Sequence, residues 1–241
     1  MTNLPLPSPF RRRWFFQRSE TDQVLTVASL FSCLLVVARV FHTGSLAFIF
    51  MPWNLFLAYV PYYISTMVTR KAARGNRLVT IIGLILWLLF IPNAFYILTD
   101  LYHLADGHRN SRIPEWFDLV LILSFAWSGL LLGVRSTRQV ERILAPDASL
   151  PGRLVFIYPV MWLNALGVYI GRYLRYNSWD IVTNPVDLLS DIIRLIIHPI
   201  RHDGALGMIF CYSILLTIMY NLLNKNDGGI PVNKNPEPWK M

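Results

Sequence analysis

Long apolar runs alternate with short polar segments along most of this chain. An α-helix needs about 20 predominantly apolar residues to cross the roughly 30 Å hydrocarbon core of a bilayer. Six runs are long enough, and they cover approximately residues 22–42, 44–68, 78–98, 115–134, 153–171 and 204–223. The pattern therefore predicts an all-α, polytopic integral membrane protein built as a six-transmembrane-helix bundle.

A shorter apolar segment between the last two predicted spans has a different pattern. Asn184 and Pro185 are typical of the cap and first position of a helix. Polar residues then recur at intervals of three and four from Asp187 to His198, with apolar residues between them. This spacing predicts an amphipathic helix over about residues 184–198, lying along the outer interface either as a connector or as a lid over a pocket.

Composition agrees with a membrane protein. Hydrophobic residues make up 54% of the chain and charged residues 15%, and the mean hydropathy is +0.43. This composition is more apolar than that of ordinary soluble domains. The first apolar run is longer than the core of a signal peptide and lacks a cleavage site of small residues, so we expect an uncleaved first span.

Lysine and arginine concentrate in alternate connections of the predicted bundle. Fifteen of the 22 basic residues lie on one side, whereas eight of the 14 acidic residues lie on the other. The positive-inside rule then makes residues 1–21 a basic cytoplasmic segment and residues 224–241 a cytoplasmic tail, around one membrane domain over residues 22–223. The net charge of +8 thus reflects topology, and no nucleic-acid partner is predicted.

Familiar catalytic and metal-binding signatures do not occur in the sequence. Cys33 and Cys211 both fall inside predicted spans, so no disulfide framework follows from them. We find no paired cysteines with zinc-ligand spacing, no glycine-rich phosphate loop and no Gly-x-Ser-x-Gly motif. No metal and no cofactor are therefore predicted.

The third predicted span is broken by Pro92-Asn93 and ends in Asp100 and His103. Hydrocarbon tolerates such residues only where protein groups or water satisfy them. Asp100 and His103 are three residues apart and would share one helix face. They are the candidate catalytic residues, with one as a general base, although a salt bridge from Asp100 to an outer arginine is the simpler interpretation.

Amide side chains occur at similar depth in three predicted spans. Asn54, Asn93 and Asn164 either hydrogen-bond across the bundle or line a ligand path. Pro92 and Pro61 lie near two of these amides. Each proline leaves a backbone carbonyl without its helical hydrogen bond, which occurs both in the broken helices of transporters and in simple helix kinks. The inner halves of the spans are expected to be almost wholly apolar, which argues against a transport path.

The fifth predicted span ends in Arg172 and Arg175, and Trp179 and Asp180 follow. A guanidinium group binds phosphate or carboxylate through two hydrogen bonds, so this region is expected to bind an anionic or lipid-linked small molecule. The alternative is that the arginines and nearby aromatic residues anchor the helix at the interface. The ligand-binding candidates are therefore Asn54, Asn93, Arg172, Arg175, Trp179 and Asp180.

Short motifs are spread over roughly residues 30–220. They are Trp53-Asn54-Leu55-Phe56-Leu57-Ala58, Trp87-Leu88-Leu89-Phe90-Ile91-Pro92-Asn93-Ala94, Thr99-Asp100-Leu101, Trp116-Phe117-Asp118 and Gly167-Val168-Tyr169-Ile170-Gly171-Arg172 with Trp179-Asp180. In this order they resemble the bacterial membrane family called domain of unknown function 1361. The resemblance implies a multi-pass protein of the bacterial plasma (inner) membrane without an established activity, and it transfers no catalytic residue.

Three hypotheses on function follow from these residues. In the first, a pocket open to the outer face binds an anionic or lipid-linked ligand beside the membrane lipids. In the second, the protein is an enzyme of the outer leaflet that uses Asp100 or His103. In the third, it is a structural or assembly subunit in which the polar residues only join helices. The sequence leaves open whether the protein is an enzyme.

Overall fold

The computed structural model describes residues 20–104, 113–146, 150–197 and 204–225. The long helices are α1 (Glu20–Thr43), α2 (Met51–Ala72), α3 (Arg77–Phe90), α5 (Glu115–Leu144), α6 (Leu150–Arg172) and α9 (Ala205–Lys225). The short ones are α4 (Pro92–Tyr96), α7 (Asp180–Thr183), α8 (Pro185–Ile197) and a 3₁₀ helix (Ile97–Leu104). Over these residues the all-α prediction is confirmed. We call α3, α4 and the 3₁₀ helix together the third pass.

Five helical segments in the described ranges are long and apolar enough to cross a membrane. They are Asp22–Thr43, Arg77–Leu104, Glu115–Leu144, Pro151–Arg172 and Ala205–Leu223. Large apolar side chains on their outer surfaces are exposed, including Val27 and Leu34 on α1 and Val155 on α6. Soluble proteins rarely expose apolar surface of this extent. The chain is therefore a membrane protein with several apolar helices.

The predicted second span, residues 44–68, differs from the helix that forms there. Residues 44–46 have no regular structure and residues 47–50 form a turn, with Gly44 and Phe48 at positive φ, so α2 begins only at Met51. At 22 residues α2 is long enough to cross a bilayer, but it is more polar than the five segments above. It packs mainly against α5 and α3 and buries Leu55 and Ala58. On these sides the polar residues of α2 contact protein, where they can form hydrogen bonds, and not hydrocarbon.

Long helices that follow one another in the chain run in opposite directions, so the connections between them alternate between the two ends of the bundle. Arg39 on α1 pairs with Asp118 on α5 at one end, with 2.7 Å between Nε and Oδ1. Asp22 on α1 pairs with Arg135 on α5 at the other end, at 3.0 Å. We call these the acidic end, which holds Asp118, and the basic end, which holds Arg135.

The third pass changes helix type at Pro92. Proline has no N–H to continue the helical hydrogen bonds, and its ring clashes with the preceding turn. Accordingly α3 ends at Phe90, α4 begins at Pro92, and the chain then tightens into the 3₁₀ helix. A 3₁₀ helix has three residues per turn, so Asp100 and His103 point to the same side.

Glycines on two neighbouring helices allow α4 to come very close. A Cβ atom at Gly129 of α5 would lie 2.8 Å from the backbone oxygen of Ala94. A Cβ atom at Gly167 of α6 would lie 2.6 Å from Cγ of Pro92. Real Cβ atoms do not approach other atoms this closely, so only glycine fits at these contacts. α4 is thus held firmly between α5 and α6.

Helix α8 forms where the sequence predicts an amphipathic helix. It begins at Pro185, while His198 at the predicted end lies outside the described residues. Leu188 and Leu195 are buried, and Leu195 packs in one cluster with Tyr169 of α6 and Ile209 of α9. Leu188 and Leu195 therefore face the bundle, whereas Val186, Leu189, Ile193 and Ile197 of the same helix are exposed. Its position at the outer membrane interface stays a prediction.

Buried polar residues also lie toward the basic end. Glu141 of α5 is only 5% exposed, and its carboxylate accepts hydrogen bonds from Arg153 of α6 and Tyr220 of α9. Glu141 lies outside the predicted spans, since α5 continues as a helix to Leu144, ten residues beyond the predicted fourth span. The extension brings Glu141 back into contact with two neighbouring helices.

Gly129→Ala is expected to lower the free energy of unfolding by about 1–3 kcal/mol, because the added methyl group forces α4 away from α5. Thermal unfolding of the purified protein in detergent measures this as a lower midpoint. Gly207→Ala on α9 is the matched control, since a Cβ atom there meets nothing within 4 Å. Alanine favours a helix over glycine, so the control should unfold at the same or a slightly higher temperature. Equal midpoints for the two variants would contradict the close contact.

Candidate functional site

A buried carboxylate at the acidic end joins three helical segments. Asp100, in the 3₁₀ helix, is completely buried. Its Oδ1 accepts a hydrogen bond from Nη1 of Arg172 on α6 at 3.2 Å, and its Oδ2 accepts one from Nδ2 of Asn54 on α2 at 2.9 Å. Both carboxylate oxygens are thus bonded to protein. The predicted salt bridge from Asp100 to an outer arginine is present.

The Arg172 guanidinium makes further contacts on the third pass. Nη1 donates to the Tyr96 hydroxyl at 3.4 Å, and Nη2 lies 3.4 Å from Nε2 of His103. The rings of Tyr96 and Tyr102 lie 5.8 and 5.7 Å from its central carbon, within cation–π range. His103 also stacks edge-on against Phe50 at 5.0 Å. Asp100 and His103 therefore share a side, as predicted, and both contact Arg172.

Three other predicted site residues lie in the connection after α6 and have different surroundings. Arg175 is exposed, with a φ of +62°, and Trp179 is 44% exposed. Asp180 accepts hydrogen bonds from the Asn177 backbone N–H at 2.6 Å and from Thr183 at 3.0 Å. The Asn177 N–H, above all, holds the pKa of Asp180 below its usual range. Among the described contacts, none joins these three residues to Arg172.

The amides of the three predicted spans bond to separate partners. Nδ2 of Asn93 donates to the Phe90 carbonyl and to Oγ of Ser178, both at 2.9 Å. Nδ2 of Asn164 donates to the Val160 carbonyl, while its buried Oδ1 has no partner in the described structure. With Asn54 bonded to Asp100, the described contacts include no direct amide-to-amide bond across the bundle.

A cavity of about 520 Å³ lies beside the Asp100–Arg172 pair, between α2, the third pass, α6 and α8. Its walls are largely apolar. They include Leu57, Leu88, Leu166, Ile170, Leu188 and Ile192. Since Leu188 and Ile192 belong to α8, that helix contributes to one wall of the cavity.

One region of the cavity wall is polar. Its polar side chains are Asn54, Asn93, Tyr96, Tyr176, Asn177 and Ser178. Asn54 and Tyr96 also bond to the Asp100–Arg172 pair, so these two residues separate the ion pair from the cavity. Of the predicted site residues, Asn54 and Asn93 line the cavity. Neither Asp100 nor Arg172 is among the described lining residues, and none of those residues carries a charge.

Tyr96, Asn177 and Ser178 line the cavity but were not selected as site residues from the sequence. The position of Tyr96 could have been inferred from its spacing, because it follows Asn93 by three residues in the same short helix and therefore lies on the same side. No such spacing indicates Ser178, since its position depends on how the connection after α6 folds back over Asn93. The Tyr176 hydroxyl donates a hydrogen bond to Asp191 of α8. This bond raises the pKa of Tyr176 and holds its side chain beside the connection.

A second buried ion pair lies at the acidic end. Arg39 is 1% exposed, and its Nε and Nη2 donate to the two oxygens of Asp118 at 2.7 and 3.1 Å. Its central carbon lies 4.5 Å from the ring centre of Phe48. Arg39 lies near the end of the first predicted span, and the sequence did not indicate this partner. The pair joins α1 to α5 and lies on helices that do not line the cavity.

Removing one member of the Asp100–Arg172 pair should leave the other charge buried without its partner. Asp100→Asn and Arg172→Gln are each expected to lower the free energy of unfolding by about 3 kcal/mol. The double variant should lose much less free energy of unfolding than the sum of the losses in the two single variants. Thermal unfolding of the single and double variants in detergent provides this double-mutant cycle.

Arg194→Gln is the control for a charge change that breaks only a surface pair. Arg194 is 71% exposed and lies 3.7 Å from Asp191. Its loss should change the free energy of unfolding by less than about 1 kcal/mol. A coupled buried pair would be contradicted by two results. One is a loss of unfolding free energy in the double variant that equals the sum of the single losses, and the other is single losses no larger than that of Arg194→Gln.

Comparison with protein families matches residues 53–219 to the family described as protein of unknown function DUF1361. Comparison with curated proteins and with solved structures finds no match. The matched region includes Asn54, the whole third pass and Arg172, and therefore the ion pair together with the polar part of the cavity wall. The family resemblance inferred from the short motifs is confirmed. The chain thus belongs to the DUF1361 family of proteins of unknown function.

Proposed function

We propose that this membrane protein binds a lipid-type molecule in the cavity beside the Asp100–Arg172 pair. The observation that supports this proposal is the shape of the cavity wall, which is apolar over most of its extent and polar in one region. A volume of about 520 Å³ lies within the range of small-molecule sites. An amphipathic ligand matches such a wall, because its chain contacts the leucines and its head group contacts the amides and hydroxyls.

In this proposal the Asp100–Arg172 pair positions the cavity wall. Arg172 bonds to Tyr96, and Asp100 bonds to Asn54, so each charged residue holds one polar lining residue. Buried ion pairs persist where additional hydrogen bonds satisfy their remaining atoms. The anion-binding role expected for Arg172 is weakened, since its guanidinium already contacts Asp100, Tyr96 and His103.

The geometry favours binding over catalysis by Asp100. A general base must come within hydrogen-bond distance of the proton that it removes. Asp100 is fully buried, both its oxygens accept hydrogen bonds, and Asn54 lies between it and the cavity. The cavity in turn favours binding over a purely structural role, because a bundle that only joins helices needs no space of this size.

We also propose that all six long helical segments cross the plasma membrane of a bacterium, with both termini in the cytoplasm. The basic end, which includes Arg70, Arg135 and Arg153, would then face the cytoplasm. The crossing added to the five most apolar segments is α2, which packs against α5 and α3. The cavity would lie toward the outer leaflet.

Labelling of single cysteines tests the crossing by α2. In a variant without Cys33 and Cys211, Leu46→Cys precedes α2 and Arg74→Cys follows it, and both positions are exposed. A membrane-impermeant maleimide should label position 46 in intact cells. Position 74 should react only after the membrane is permeabilised. Labelling of both positions from one side would show that α2 does not cross.

Leu88→Trp tests lipid binding in the cavity. Leu88 lines the cavity and is 39% exposed, whereas Leu86 on the same helix is 43% exposed and is not a lining residue. The indole at position 88 should fill part of the space and reduce co-purifying lipid about tenfold, which corresponds to a loss of roughly 1.4 kcal/mol of binding. Native mass spectrometry measures the bound lipid. Leu86→Trp should retain it, and equal retention in both variants would refute the proposal.

A further inference from the structure

We infer that the ligand of this cavity is a neutral lipid whose head group carries hydroxyls, such as a glycosyl diacylglycerol. The inference rests on the proposed function, since it names the class of lipid that the cavity would take. It comes from two properties of the polar part of the wall. The first is its charge, and the second is the set of hydrogen-bonding atoms that remain available to a ligand.

The described residues that line the cavity offer no countercharge to an anionic head group. The described lining residues include no arginine, lysine or histidine. Arg172, which contacts the lining residue Tyr96, is paired with Asp100 at 3.2 Å. An ionised phosphate moved from water into this site would lose its hydration without gaining a cation, which is strongly unfavourable. The electrostatics therefore select an uncharged head group.

The amide oxygens of the wall remain available as acceptors. Asn54 uses Nδ2 to bond Asp100, and Asn93 uses Nδ2 to bond both Phe90 and Ser178. The Oδ1 atoms of these two asparagines have no partner among the described residues. An amide oxygen only accepts hydrogen bonds, so a ligand must supply a donor to bond to either of them. A phosphate diester, a carboxylate or a quinone has no proton to donate to them.

The hydroxyls of the wall remain available as donors. Ser178 accepts from Asn93, and Tyr96 accepts from Arg172, so each still has its own proton to donate. The described structure gives neither proton another acceptor. The wall thus presents two acceptors and two donors within one polar region. Hydroxyl groups on a ligand match this set, because each hydroxyl both donates and accepts.

The positions of these groups also orient the ligand. Asn93 and Tyr96 follow the break at Pro92, whereas Ile85 and Leu88 precede it on α3, nearer the basic end. The head group therefore lies toward the acidic end, and the acyl chains lie along α3 and α6. In the proposed topology this orientation matches a lipid of the outer leaflet.

Competition between two lipids tests the head group. The purified full-length protein is incubated with monoglucosyl diacylglycerol and phosphatidylglycerol of the same acyl chains, and bound lipid is measured by native mass spectrometry. The glucolipid should reach half-occupancy at a concentration about tenfold lower. Equal or tighter binding of phosphatidylglycerol would overturn the inference on the head group and leave the proposed lipid binding intact. Binding of neither lipid, or binding that Leu88→Trp does not reduce, would overturn both.

Ser178→Ala removes one donor while Asn93 keeps its bond to the Phe90 carbonyl. The variant should bind the glucolipid about fivefold more weakly, as expected for the loss of one hydrogen bond, and should bind phosphatidylglycerol as before. Ser190→Ala on α8 is the matched control, because Ser190 donates to the Asp187 carbonyl and is not a lining residue. An equal effect of Ser178→Ala on both lipids, or no effect on either, would contradict the assigned contact.

Discussion

A carboxylate buried at the end of a membrane helix must find its hydrogen-bond donors within the protein. In this chain Asp100 obtains them from Arg172 and Asn54, which come from two other helices. This requirement fixes how α2, α6 and the third pass meet at the acidic end. It also holds Asn54 and Tyr96 at the edge of the cavity, so the ion pair and the cavity are parts of one arrangement.

The sequence predicted those features that depend on neighbouring residues. The break at Pro92 follows from proline chemistry, the start of α8 follows from Asn184-Pro185, and the shared side of Asp100 and His103 follows from their spacing. The partner of Asp100 was predicted only as a class, an outer arginine. Selecting Arg172 rather than Arg175 requires the packing of α6 against α4, where Gly167 and Pro92 are in contact.

Features set by contacts between distant residues were not predictable from local patterns. An apolar run shows where hydrocarbon can surround a helix, but it does not show where the helix itself ends. Thus α5 continues ten residues past the predicted fourth span, because Glu141 is satisfied by Arg153 and Tyr220 on other helices. Conversely, α2 begins seven residues after the predicted start, since the apolar residues before Met51 form a turn instead.

The polarity of α2 has a consequence for how the protein is made. A helix gains insertion energy from apolar side chains, and α2 is not among the five segments that are apolar enough to cross by composition alone. Its main packing partners, α3 and α5, both follow it in the chain. During biosynthesis α2 therefore leaves the ribosome before the helices that stabilise it. It reaches its final place only after α5 has been synthesised, so the order of assembly differs from the order of translation.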